Sequence, residues 1–125
     1  MKILVAEDDA DNQALIVRQL ARNKHHVILA ENGKEACDLA KEERPDIILM
    51  DLSMPIMSGY TASSVIKSSP ETADIAIIAI SAFGGAENIE RAMNAGCSAY
   101  EDKPIRFDSL MNKIKVFAKK TDKTH

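Results

Sequence analysis

Four stretches of the chain are apolar at every position: Ile3–Ala6, Val27–Ala30, Ile47–Met50 and Ile75–Ile80. A weaker one, Ser98–Tyr100, lies near the end. The first four are β-branched or aliphatic without polar alternation, the mark of strands buried on both faces and hence of a parallel sheet. Between the strands, apolar residues recur with helical spacing. Ala14, Val17 and Ala21 form one stripe, and Ala36, Leu39 and Ala40 a second. Val65 and Ile66 mark a third helix, Ile89, Ala92 and Met93 a fourth, and Leu110, Ile114 and Phe117 a fifth. Gly33 precedes the second helix, Pro45 closes the approach to the third strand, and Gly96 stands where a helix C-cap belongs. Strand and helix alternating in this way predict an α/β domain with right-handed crossovers and helices on both faces.

A chain of 125 residues is one domain with a real core, expected over about residues 1–120, followed by a polar tail over 121–125. Hydrophobic residues at 46% and charged residues at 28% exclude disorder, collagen-like repeats and a disulfide-dense miniprotein. With 16 Lys+Arg against 19 Asp+Glu, the net charge is −3, and no basic stripe offers itself to nucleic acid. No apolar run approaches the roughly 20 residues of a membrane span. Only Ile3–Ala6 separate Lys2 from Glu7, too few for a signal-peptide core, so the expected location is cytoplasmic. Cys37 and Cys97 read as reduced, small buried residues. His25, His26 and His125 share no metal-ligand spacing with them, and His25–His26 are expected in a turn.

The chemistry gathers where the strands end. In a parallel α/β sheet all C-terminal strand ends lie along one edge, and sites form there. The first strand delivers Glu7, Asp8 and Asp9 to that edge, the third Asp51, the fourth Ser81, and the fifth Lys103–Pro104. The second delivers Glu31 and Asn32, ordinary turn residues. Each group alone has a plain explanation: an N-cap for Glu7-Asp8-Asp9, a turn acid for Asp51, a cap for Ser81, a surface lysine for Lys103. Four strand ends supplying complementary groups to one place outweigh those explanations. Acids on adjacent strands repel unless a cation joins them, and hard oxygen ligands of this kind suit Mg2+.

These residues resemble the receiver domain of two-component response regulators over about residues 1–120. The resemblance is carried by Ile3-Leu4-Val5-Ala6-Glu7-Asp8-Asp9, by Pro45–Pro55 with Gly59, by Ile77–Ala82, and by Ala95-Gly96-Cys97 leading to Tyr100 and Lys103-Pro104-Ile105. It implies a single (βα)5 doubly wound domain with a five-stranded parallel sheet of order 2-1-3-4-5, an order that sets strands one and three side by side. It further implies that Asp51 accepts a phosphoryl group from a histidine kinase or histidine phosphotransfer protein. Mg2+ would be held by Asp8, Asp51 and the backbone carbonyl of Ser53, with Glu7 acting through water. Lys103 and Ser81 would contact phosphoryl oxygens, and Ser81 and Tyr100 would form the switch. The output would fall on the face of helix four, strand five and helix five, toward a downstream protein target. The Lys103–Pro104 bond is expected to be cis.

The chain also departs from the family pattern. Ser53 and Phe83 stand two residues after Asp51 and Ser81, positions that influence how water reaches the phosphoaspartate. Ser81 replaces the commoner threonine and keeps its hydroxyl. Gly84–Gly85 should loosen the loop after the fourth strand. Glu101–Asp102 place extra negative charge beside Lys103, where an apolar and a small residue are usual, and either would compete for the lysine if it paired with it. Asn12-Gln13 resembles receivers that work with hybrid kinases or phosphotransfer proteins. Met1 and the short polar tail favour a standalone receiver over an excised one.

Other classes fit less well. A flavodoxin-like cofactor-binding domain needs a Ser/Thr/Gly loop after the first strand, where Glu7-Asp8-Asp9 would repel phosphate. A haloacid-dehalogenase-like phosphatase needs an Asp-x-Asp arrangement there. A non-phosphorylated receiver-like adaptor would lack Asp51, the metal acids or Lys103. The resemblance therefore predicts a signalling protein, not an enzyme acting on other substrates.

Overall fold

A computed structural model describes residues 1–82 and 84–122, with side chains through Ala118. Phe83 and His125, singled out in the sequence, lie outside the described residues. Strands β1 (Lys2–Ala6), β2 (His26–Ala30), β3 (Ile47–Asp51), β4 (Ala76–Ser81) and β5 (Ala99–Asp102) alternate with helices α1 (Ala10–Arg22), α2 (Gly33–Glu43), α3 (Gly59–Ser68), α4 (Ala86–Asn94) and α5 (Phe107–Asp122). All strands pair in parallel, in the order β2-β1-β3-β4-β5. The α/β domain with helices on both faces, read from the apolar runs, is the one observed, and its doubly wound strand order is the one the resemblance implies. Of the expected tail over 121–125, the first two residues belong to α5 and the other three lie outside the described residues.

Alternate residues of the inner strands feed opposite sides of the sheet. Leu4, Ala6, Ile48, Met50, Ile77 and Ala79 pack toward α2, α3 and α4. Ile3, Val5, Ile47, Leu49, Ile78 and Ile80 pack toward α1 and α5, against Ile16, Leu20, Leu110 and Ile114. Strands buried on both faces explain why the sequence shows unbroken apolar runs.

Several local expectations shift. His26 opens β2 instead of lying in a turn, and β5 runs Ala99–Asp102, beginning and ending later than expected. Gly33 is the first residue of α2, whose N-cap is Asn32, its side chain accepting from the Glu35 amide at 2.8 Å. On α1 the buried residues are Ile16 and Leu20, while Ala14 and Ala21 face solvent. Burying the larger side chains removes more apolar area from water, so the helix turns that face inward. Val65 on α3 and Ile89 and Met93 on α4 are likewise exposed, and Ala92 is the buried residue of α4. Among the described residues, no helix is long and apolar enough to cross a membrane.

Candidate functional site

β1 and β3 are hydrogen-bonded neighbours, in register from Ile3↔Ile47 to Ala6↔Met50, so Glu7 and Asp51 emerge beside each other. Glu7 is 2% exposed and Asp51 5%, unusual burial for two carboxylates. Lys103 resolves the conflict. Its ammonium donates to Asp51 Oδ2 at 2.8 Å and to Glu7 Oε1 at 3.0 Å. The Lys103–Pro104 bond is cis, as the resemblance implies, and the Lys103 amide donates to the Ser81 carbonyl at 2.8 Å.

The acid triplet after β1 divides into three roles. Asp9 is the N-cap of α1, its side chain accepting from the Asp11 amide at 2.8 Å. Asp8 is exposed, and an oxygen of Asp8 lies within 4.8 Å of oxygens of both Glu7 and Asp51. Glu7 turns inward, and its Oε2 has no hydrogen-bond partner. An orphaned buried oxygen beside two more carboxylates is a donor set that fits a hard divalent cation. Without one, burial first and Asp51 next push the Glu7 carboxyl up to about 7, against the pull of Lys103. Burial disfavours the Lys103 ammonium, but Asp51 and Glu7 outweigh it and raise its pKa.

The remaining side chains hold this arrangement in place. The Ser53 amide donates to Asp51 Oδ1 at 2.9 Å, orienting the carboxylate. Gly59 closes the loop after β3: its amide donates to the Leu52 carbonyl at 3.2 Å, and a Cβ there would lie 2.2 Å from the Asp51 carbonyl oxygen. The Gln13 side chain donates to the Glu7 carbonyl, fixing the turn after β1. In the sequence, Gln13 stands out only as part of the Asn12-Gln13 partner signature. Its position one turn past the Asp9 cap was the available signal for a side chain reaching back.

Ser81 is buried at the end of β4, opposite Asp102 of β5. The Tyr100 hydroxyl interacts with the side chains of Ser81 and Asp102; burial raises its pKa, the Ser81 hydrogen bond opposing. The feared competition for Lys103 takes another form. Glu101 accepts from Lys113 at 2.8 Å and from the Ser109 hydroxyl at 2.9 Å, fastening β5 to α5. Asp102 turns toward Gly84 and Tyr100. Lys103's ion pairs are with Glu7 and Asp51 instead.

The response regulator receiver domain model matches residues 3–115, and the chain belongs to that family. It is 36% identical over 115 residues to the polar-differentiation response regulator DivK of Brucella anthropi, covering 92% of this chain and 94% of that one. It superposes with a TM-score of 0.87 and 30% identity on the receiver domain of the sensor histidine kinase PA1611 of Pseudomonas aeruginosa, covering 93% and 95% of the two chains. That structure has a magnesium ion coordinated in its active-site cleft. A second structural relative, at 31% identity and TM-score 0.84, covers 91% of this chain and 86% of the other. It is the receiver domain of Ssk1 from Saccharomyces cerevisiae, crystallised with the histidine phosphotransfer protein Ypd1. The chain is thus a receiver domain of two-component signalling.

Proposed function

We propose that Asp51 is the phosphoacceptor and that a phosphohistidine, on a histidine kinase or a histidine phosphotransfer protein, is the donor. The observation that carries this is the buried Asp51 carboxylate, sharing Lys103 with Glu7 and standing in one carboxylate group with Glu7 and Asp8. Asp8, Asp51 and the Ser53 carbonyl would hold Mg2+, with Glu7 acting through water. When bound, the ion supplies positive charge against the phosphoryl oxygens.

The chain's own groups do the rest. An Asp51 carboxylate oxygen attacks phosphorus as the P–N bond to the donor imidazole breaks, and the electron pair stays on nitrogen, which takes up a proton. The transition state is loose, so positioning and charge neutralisation dominate. The Ser53 amide holds Asp51 in one orientation, and Lys103 moves from the two carboxylates to a phosphoryl oxygen. Ser81 turns its hydroxyl from Tyr100 toward the phosphoryl group, which frees Tyr100 and biases the face of α4, β5 and α5 toward a downstream protein. The protein's chemistry is confined to its own phosphorylation and dephosphorylation, in the cytoplasm.

Intact mass after incubation with acetyl phosphate and Mg2+ should rise by one phosphoryl group. The gain should vanish with EDTA and in Asp51→Asn. Equal labelling of Asp51→Asn would sink the assignment.

A further inference from the structure

The loop from Leu52 to Ser58 holds one residue in a backbone conformation that its side chain disfavours. Ile56 has φ +70°, in the left-handed region, where a β-branched side chain crowds its own backbone. The Met57 amide donates to the Pro55 carbonyl at 2.7 Å, closing a three-residue turn around Ile56. With positive φ at its centre, this is the strained form of the γ-turn. Packing within the chain offers little in return. Ile56 is 79% exposed, and among the described residues the next most exposed large apolar residue, Val116, is 52% exposed.

The turn is held firmly from both sides. The Met57 carbonyl accepts from the Gly33 amide at 3.1 Å, and Cys37 Sγ lies 3.9 Å from Met57 Sδ. A Cβ on Gly33 would stand 2.1 Å from the Met57 carbonyl oxygen, so α2 abuts the loop directly. At the other end Gly59 returns the chain to the backbone of Asp51 and Leu52. Ile56 is therefore the tip of a closed excursion on the same strand edge that carries Asp51. Backbone strain of this kind, at the rim of a site, points to a function for the residue that bears it.

The position of Asp51 identifies that function. Its carboxylate is buried at the end of β3, on the strand edge, and an imidazole side chain is short. A protein bringing phosphohistidine to Asp51 must seat its own surface on the loops that form the rim. We infer that Ile56 is an apolar anchor for the phosphohistidine-bearing protein, held outward by the strained turn. The inference rests on the reading of Asp51 as phosphoacceptor. A small donor such as acetyl phosphate enters without touching the rim, which separates the two ideas.

The test compares Ile56→Gly and Ile56→Asn, both tolerant of positive φ, with the apolar control Ile56→Leu. Each receives phosphate from acetyl phosphate and, separately, from Ypd1 phosphorylated on histidine. The Gly and Asn variants should melt at a higher temperature than the unsubstituted chain and label normally with acetyl phosphate. They should take phosphate from Ypd1 at least about tenfold more slowly, and Ile56→Leu should stay within about threefold. Normal transfer to the Gly and Asn variants overturns the docking role alone. Failure of acetyl phosphate to label the unsubstituted chain overturns the Asp51 reading and this one with it.

Discussion

The two halves of the strand edge are built to opposite specifications. On the side of β1 and β3, Glu7 and Asp51 are buried, bridged by Lys103, and backed by Gly59, Gln13 and the Ser53 amide. On the side of β4, Ser81 is buried, but the chain then passes through exposed Gly84 and Gly85, the latter at φ +112°. Helix α4 follows with no side-chain bond at its N-cap and Ala92 as its buried residue. It is steadied by Arg91, whose guanidinium lies 3.9 Å from the centre of the Tyr60 ring. On its other flank α5 is fixed, with Leu110 and Ile114 in the core and Lys113 on the buried Glu101. Charges that act on a reaction must be held in advance of it. An element that reports the reaction must be cheap to move, and such elements come from the least stable part of a fold. The firmly held and the loosely held sides meet at two adjacent strands, β3 and β4.

The sharpest way to break this contrast is to remove the cation from the tight half. Lys103→Ala leaves two buried carboxylates facing each other, and metal-free stability should fall by about 3–5 kcal/mol in urea titrations with EDTA. Mg2+ should restore much of that loss, because Lys103 is not expected among its ligands. A metal-free variant as stable as the unsubstituted chain would mean that charge does not hold this half together.

Proton linkage at Glu7 sharpens the same point. A carboxyl raised from 4.5 to about 7 binds its proton more tightly folded than unfolded. The stability it contributes is therefore fully present below about pH 4.5 and lost as pH rises through about 7, at up to about 1.4 kcal/mol per pH unit. Glu7→Gln should be more stable than the unsubstituted protein at pH 7.5 without metal, and the gap should close near pH 4.5. Comparing the two proteins cancels other titrating groups, including His25, whose pKa burial lowers. A gap independent of pH would place the orphaned oxygen in water.

The smallest effect belongs to the loose half. An exposed cation stacked on a half-buried ring is worth about 0.5–1 kcal/mol here, so Arg91→Ala should speed amide exchange in α4 by about two- to fivefold and leave α5 unchanged. Amides of α4 in the unsubstituted protein as protected as those of α5 would remove the contrast altogether.

Much of this architecture was legible without coordinates. Runs such as Ile47–Met50 announce strands buried on both faces, and an acid directly after such a run must lie on the strand edge. What sequence could not carry was orientation and pairing. Ala14 and Ala21 share a helical stripe as well as Ile16 and Leu20 do, and only the volume to be filled decides which stripe turns inward. The acids beside Lys103 in the chain, Glu101 and Asp102, were the visible competitors for it. Its actual partners come from β1 and β3, because a strand sends neighbouring side chains to opposite faces while its end points along the edge. Lys113, the partner of Glu101, lies a helix away, and no local spacing marks it.

The separations in sequence at the strand edge bear on the order in which the molecule comes together. Lys103 and Glu7 are 96 residues apart, and Lys103 and Asp51 are 52 apart. β1 lies between β2 and β3, so the first strand made waits for two later ones before both of its edges are paired. Contacts of such long range close late in folding, after the loops between them have lost their freedom. A nascent chain ending before β5 would hold the acids without their lysine, a repelling group in place of a reactive one. The bridged acidic site is thereby a property of the finished fold, complete only once the residue that follows β5 is in place.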